Sequence, residues 1–154
     1  GSVANNDPSA CYPAAVLALS GTIHTNKRNI VADDFFIGLF ETALEESEMI
    51  TAVSFPKTSK AAYVKFPNPA SRYAMVGVFV ASGKNGSRLA VTGAGSDGVF
   101  RHATMEAALD GNFTASSLDG ISVDAGNMIS DIHASSDYRA HLVLEIAKRA
   151  VAAC

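Results

Sequence analysis

The sequence offers little from which to build a covalent or metal-based framework. Its two cysteines, Cys11 and Cys154, sit at opposite ends of 154 residues, which is neither a disulfide pattern nor a metal-ligand spacing. Such cysteine usage fits a reduced, cytoplasmic setting. The four histidines, His24, His102, His133 and His141, never pair at zinc-like spacing, so no metal site is expected. No G-x-S-x-G elbow is present, and no residue stands out as catalytic. No apolar run approaches the ~20 residues that span a bilayer, and no signal-peptide pattern opens the chain. Positive charge is also scarce, with 12 Lys and Arg against 15 Asp and Glu and a formal net charge of −3. Basic residues gather no further than pairs such as Lys27-Arg28, whereas a nucleic-acid surface needs a clustered patch. Nucleic acid is therefore not an expected partner.

What is present suits a globular chain. Apolar residues make up 48% and charged residues 18%, enough to bury a core in one domain or two small ones. "DPSACYPAAVLALSG" reads as a loop and then a helix, with Pro13 in the first turn and Gly21 free to end it at positive φ. "TIHTN" alternates as a strand does and turns at Asn26-Lys27. Asp33 or Asp34 can cap a helix over "FFIGLFETALEESEM", whose residues Phe36, Leu39, Phe40 and Leu44 share one face. Glu45, Glu46 and Glu48 would then sit at its C-terminal end, where the helix dipole disfavours them, and fraying is expected there. From about residue 50, "ITAVSFP", "AAYVKF", "YAMVGVFVAS" and "RLAVTG" read as strands of an antiparallel sheet, with a hairpin signal at residues 83–86. The remainder is helical. Thr104 can cap "MEAALDG", and Ser136 can cap a long closing helix with an apolar stripe of Tyr138, Leu142, Ile146 and Ala150.

Gly93, Gly95 and Gly98 of "VTGAGSDGVF" have the G-x-G-x-x-G spacing of a dinucleotide loop. That reading also needs a helix opening at the third glycine, and an acidic residue ending a second parallel strand ~20 residues on. Only the preceding strand is there. The loop reads as a flexible connection from strand to helix.

A second glycine-bearing loop, "GSVANNDPSACYPAA", resembles the second flavin-binding loop of the FAD-carrying medium subunit of molybdenum hydroxylases, the group of aerobic carbon monoxide dehydrogenase and xanthine dehydrogenase. The likeness extends along the chain. "VADDFFIGLFETALEESEMITAVSFP" resembles the segment leading out of that family's flavin domain. "AAYVKFPNPASRYAMVGVFVA" and "LAVTGAGSDGVFR" resemble the first strands of its C-terminal domain, where the glycine loop is a connection. "SDIHASSDYRAHLVLEIAKRAV" resembles its closing Tyr-Arg helix. Two departures stand out. The family's first glycine-rich loop has no counterpart here, so the chain looks like the C-terminal part of a longer subunit. Cys11 also stands where the family usually has Asp.

The resemblance implies an α+β fold. Residues 1–50 would be the incomplete end of an FAD-binding subdomain. Residues 51–154 would form a three-stranded antiparallel sheet packed with a small helical bundle. It implies FAD as cofactor of the full subunit, with Gly1, Ser2, Asn5, Asn6, Asp7, Cys11, Lys65 and Tyr73 as cofactor-binding candidates. Small residues such as Gly1 and Ser2 let backbone N–H groups approach a pyrophosphate, and Asn5 and Asn6 offer amides to ribityl hydroxyls. Tyr73 falls on the position whose side chain lies over the isoalloxazine, and Lys65 on the neighbouring strand. Cys11 has no basic neighbour in sequence, which makes a packed, inert thiol the expectation. The implied function is electron relay from an iron–sulfur small subunit through FAD to an acceptor such as NAD or a quinone, beside a molybdenum large subunit. The isolated chain would be inactive. The rival expectation is a non-catalytic module that docks a partner without binding flavin.

Overall fold

The computed structural model describes residues 1–84 and 86–154; Asn85, in the expected hairpin turn, lies outside the described residues. An opening loop leads into α1 (Tyr12–Ala18), with Pro13 in its first turn, where a missing N–H costs no hydrogen bond. α1 buries Ala14, Val16, Leu17 and Ala18. The chain then turns through Ser20 at φ 52°, so Ser20 takes the left-handed position expected of Gly21. β1 (Thr22–Thr25) folds back into β2 (Asn29–Val31), as the alternation predicts. The third strand of this sheet is β5 (Ile50–Ser54), giving the antiparallel order β2-β1-β5. Residues 50–54, expected to open the middle sheet, instead close the first one, with Ile23 opposite Ile30 and Val53.

The helix expected from Phe35 to Met49 does not form. A single turn, α2 (Ala32–Phe35), with Val31 rather than an Asp at its N-cap, runs into a hairpin of β3 (Phe36–Gly38) and β4 (Glu41–Thr42). Phe35 is fully buried and meets Phe36 edge-on at 5.2 Å. Ile37, Leu39 and Phe40 are exposed at the hairpin. The acidic group is no fraying helix end either. Glu48 turns its carboxylate inward, accepting from Thr25 Oγ1 at 2.7 Å, Arg28 Nε at 3.1 Å and the Glu45 N–H at 2.9 Å. Lys27 and Arg28 lie 3.5 and 3.4 Å from Glu45, so this basic pair is spent within the fold. A non-local ion pair has overridden a helical pattern, as tertiary context does with a weak local preference.

The second sheet has the order β6-β7-β8-β9, all antiparallel: β6 (Lys60–Pro67), β7 (Ala74–Gly83), β8 (Gly86–Thr92) and β9 (Phe100–Arg101). The three expected strands are joined by a short fourth. β7 and β8 are buried on both faces, which explains their near-continuous apolar composition. Val76, Val78, Val80, Leu89 and Val91 face one core; Phe79 and Ala90 face the other, with α1. Against the first core lie α3 (Ala103–Gly111) and α4 (Ser136–Ala152). α3 is capped by His102, not Thr104, whose Nδ1 accepts from the Met105 N–H at 3.3 Å. α4 is capped by Ser135, one residue before the expected Ser136. Its buried stripe holds Leu142, Ile146 and Ala150, while Tyr138 is half exposed and edge-on to Phe66. Two 3-10 turns, Ala115–Leu118 and Ala125–Asn127, complete the chain. The α+β architecture expected from the sequence is the one observed.

Candidate functional site

Residues 1–10 form a chain of turns. The N–H groups of Asn5, Asn6 and Asp7 donate inward to the carbonyls of Gly1, Val3 and Ser2 at 3.0, 3.2 and 3.2 Å. The N–H groups of Ser2, Val3 and Ala4 have no acceptor among the described residues, as at the start of any helical turn. Asn6 closes the turn at φ 41°, a conformation Asn tolerates better than most residues. It is buried, donates from Nδ2 to the Gly38 carbonyl at 2.7 Å, and keeps Oδ1 without a partner. Asp7 Oδ1 accepts from the Ser9 N–H at 2.9 Å.

Three elements hold this loop. The β3–β4 hairpin supplies Gly38 and also Thr42, whose Oγ1 donates to the Ala4 carbonyl at 3.0 Å. β8 supplies Thr92, whose buried hydroxyl lies 2.9 Å from the Ala10 carbonyl and 3.2 Å from that of Pro8. The glycine loop supplies Gly98, where a Cβ would meet Asn6 Nδ2 at 2.6 Å. Nor does that glycine loop present a phosphate cradle: the Ser96 N–H is spent on the Asn127 carbonyl and the Gly98 N–H on that of Gly95.

Tyr73 follows the tight turn between β6 and β7. Asn68 and Tyr73 are tied by an N–H to carbonyl bond of 2.8 Å, and Arg72 takes φ 64°. Tyr73 is 61% exposed. It lines a cleft of about 240 Å³ together with Pro8 and Ser9 of the opening loop, Ser71, His133 and Arg139. The loop and the tyrosine, 60-odd residues apart in sequence, therefore border one space. Lys65 projects from β6, and its Nζ lies 3.8 Å from Cys11 Sγ. This corrects the expectation that Cys11 lacks a basic neighbour: the neighbour comes from another strand. Of the candidates, Cys11 and Lys65 meet each other, Tyr73 reaches the Pro8-Ser9 part of the loop, and Gly1, Ser2 and Asn5 lie at the loop's outer turn.

Two residues of this region escaped the sequence reading. Tyr63 on β6 covers Gly77, where a Cβ would collide with its hydroxyl, and stacks on Phe79 at 6.2 Å. Its hydroxyl is buried without a hydrogen-bond partner, and burial pushes its pKa up, with the nearby Cys11 thiol adding to the rise. Arg139 was visible only as half of a Tyr-Arg motif. It is 4% exposed, donates from Nη1 to the carbonyls of Met75 (2.6 Å) and Gly93 (2.9 Å), and from Nη2 to Asp131 at 2.7 Å. One guanidinium from α4 thus locks the start of β7, just after Tyr73, to the end of β8.

Several known proteins are similar to this chain in sequence and fold. Residues 1–58 match the family described as the FAD binding domain in molybdopterin dehydrogenase. The chain is 30% identical to the nicotine 6-hydroxylase medium subunit of Paenarthrobacter nicotinovorans, over 98% of this chain and 58% of that protein. It is 25% identical to the carbon monoxide dehydrogenase medium chain of Hydrogenophaga pseudoflava over the same shares, 98% and 58%. A solved carbon monoxide dehydrogenase from Hydrogenophaga pseudoflava superposes with a TM-score of 0.82 at 26% identity, covering 99% of this chain and 58% of that one. One from Oligotropha carboxidovorans gives 0.84 at 22% identity, again over 99% and 58%. The fold is that of a carbon monoxide dehydrogenase medium chain. Along nearly its whole length the chain is similar to medium subunits of molybdenum hydroxylases, and it spans 58% of the length of the relatives named here. No helix among the described residues is long and apolar enough to cross a membrane.

Proposed function

We propose that this chain forms part of an FAD site in the electron-relaying subunit of a molybdenum hydroxylase. The observation that carries the reading is the shared cleft: the opening loop and Tyr73 border one space, with Lys65 and Cys11 on the adjoining strand and helix start. The residues suit the cofactor. The open N–H groups of Ser2, Val3 and Ala4 would face pyrophosphate oxygens. Asn5 would offer its amide to ribityl hydroxyls, while Asn6 and Asp7 hold the loop's shape. The ring of Tyr73 would cover the isoalloxazine and exclude water, and the Lys65 ammonium would stabilise negative charge near it. When bound, FAD supplies the change between one-electron and two-electron transfer. The partners implied are an iron–sulfur small subunit as donor and a molybdenum large subunit, with NAD or a quinone as acceptor. In this reading residues up to β5 belong to the flavin-binding unit and the rest to a C-terminal unit.

Flavin absorbance tests the reading. The subunit purified with its partners is expected to release one flavin per chain on denaturation, and the 154-residue chain soaked with FAD to bind weakly or not at all. A subunit that releases no flavin overturns the flavin reading. A stoichiometric yellow complex of the 154-residue chain overturns the view that it needs the rest of the subunit. The rival reading, a docking module without flavin, is favoured by one observation: Ile37, Leu39 and Phe40 stand exposed at the β3–β4 hairpin.

A further inference from the structure

The glycine loop that fails as a phosphate cradle forms one wall of a second cleft. Gly95 pairs with Met128 in an isolated antiparallel bridge, the Ser96 N–H donates to the Asn127 carbonyl at 3.0 Å, and the Ile129 N–H to that of Ala94 at 2.8 Å. These bonds fix residues 94–98 against the turn Ala125–Asn127. The cleft there has a volume of about 400 Å³, within the range of small-molecule sites. Phe100, Val123 and Met128 give it an apolar floor; Asp97, His102 and Asp124 are its ionisable groups. It shares no lining residue with the cleft at Tyr73.

Charge decides what such a cleft takes. No Lys or Arg lines it, and the loop N–H groups of Ser96 and Gly98 are already bonded, so an anion meets no counter-charge there. The Asp124 carboxylate is held in place by the Gly126 N–H at 2.9 Å and Asn127 Nδ2 at 3.0 Å. Asp97 is exposed and has no hydrogen-bond or ion-pair partner among the described residues. His102 adds no competing charge: its Nδ1 accepts from the Met105 N–H, and burial pushes its pKa down, favouring the neutral ring. That leaves its Nε2–H as a neutral donor. A flat apolar group suits Phe100 and the Met128 thioether, and a positive charge suits the two carboxylates.

We propose that this cleft binds a small planar organic cation, of the aryl-ammonium or protonated N-heterocycle class, with its ring on Phe100 and Met128 and its charge toward Asp97 and Asp124. The proposal stands apart from the flavin reading and is tested on the 154-residue chain without FAD. Isothermal titration uses 2-naphthylmethylammonium, with neutral 2-naphthylmethanol and anionic 2-naphthoate for comparison. The ammonium is expected to bind saturably with a Kd below about 1 mM, about 10-fold tighter than the alcohol, and the naphthoate not to bind. Asp97→Asn, a surface change with no bond to lose, is expected to weaken the ammonium about 5-fold and leave the alcohol unchanged. Circular dichroism checks that the variant is folded, and Asp124→Asn gives a second reading of the same effect. Equal affinity for the three probes, no saturable binding of the ammonium, or unchanged ammonium affinity in both folded variants overturns the proposal.

Discussion

Glu48 exposes none of its side chain, yet it is charged. The Arg28 guanidinium, the Glu45 N–H and the Thr25 hydroxyl hold its pKa at about 2, down from 4.5. A carboxylate depressed in the folded state stabilises the fold above its unfolded pKa and loses that contribution as pH falls toward the folded value. Wild type is therefore expected to lose thermal stability between pH 4.5 and about 2 more steeply than Glu48→Gln, which lacks the titration. Melting curves at half-unit pH steps check this, and parallel curves would refute it. Arg139 offers a second test. Arg139→Met leaves two buried carbonyls without their donor and Asp131 without its ion pair, and about 3 kcal/mol of stability should be lost in urea titrations. Its Asp131 partner is half exposed, which keeps the cost below that of a fully buried pair.

Where β8 ends, the chain must pass very close to the start of β7. Gly93 takes φ 81°, and a Cβ there would collide with the Ala74 carbonyl and sit 3.0 Å from that of Met75. Backbone cannot yield as a side chain end can. Gly93→Ala is expected to cost at least about 2 kcal/mol, read from the denaturant midpoint. The glycines of this loop are thus needed for close backbone approach, not for phosphate. The β3–β4 hairpin carries the opposite lesson. Phe36, Leu39, Phe40 and Leu44 match a helical face, but Phe40 sits at φ 58° in a hairpin turn. The signals that produced the hairpin are an Arg28–Glu48 pair 20 residues apart and Asn6 reaching Gly38 from 32 residues away. Window-based periodicity cannot contain either.

At the scale of the molecule, β7 and β8 belong to both cores. One face meets α1, the other α3 and α4. Charges reinforce the joint: Arg88 of β8 donates to Asp33 at 2.7 Å and to the Leu17 carbonyl at 2.8 Å, while Arg101 of β9 reaches the same Asp33 at 3.1 Å. Neither core can open without exposing the shared strands. The chain should unfold in a single transition, with far-ultraviolet circular dichroism and tyrosine fluorescence changing together. Two separated midpoints would contradict a shared sheet.

The sequence by itself determined what is local. Alternation and apolar content marked β1, β6, β7 and β8, Pro13 marked the start of α1, and the closing stripe marked α4. It also held the motifs by which the chain resembles medium subunits, and with them Gly1, Ser2, Asn5, Asn6, Asp7 and Tyr73 as candidates. Tertiary structure alone decided which strand joined which sheet, that Glu48 would be buried, that Lys65 would reach Cys11, and that Arg139 would clasp Met75 and Gly93. The reason is range: a cap or an alternating strand is written within a few residues, whereas an ion pair or a shared cleft exists only once distant segments have been brought together.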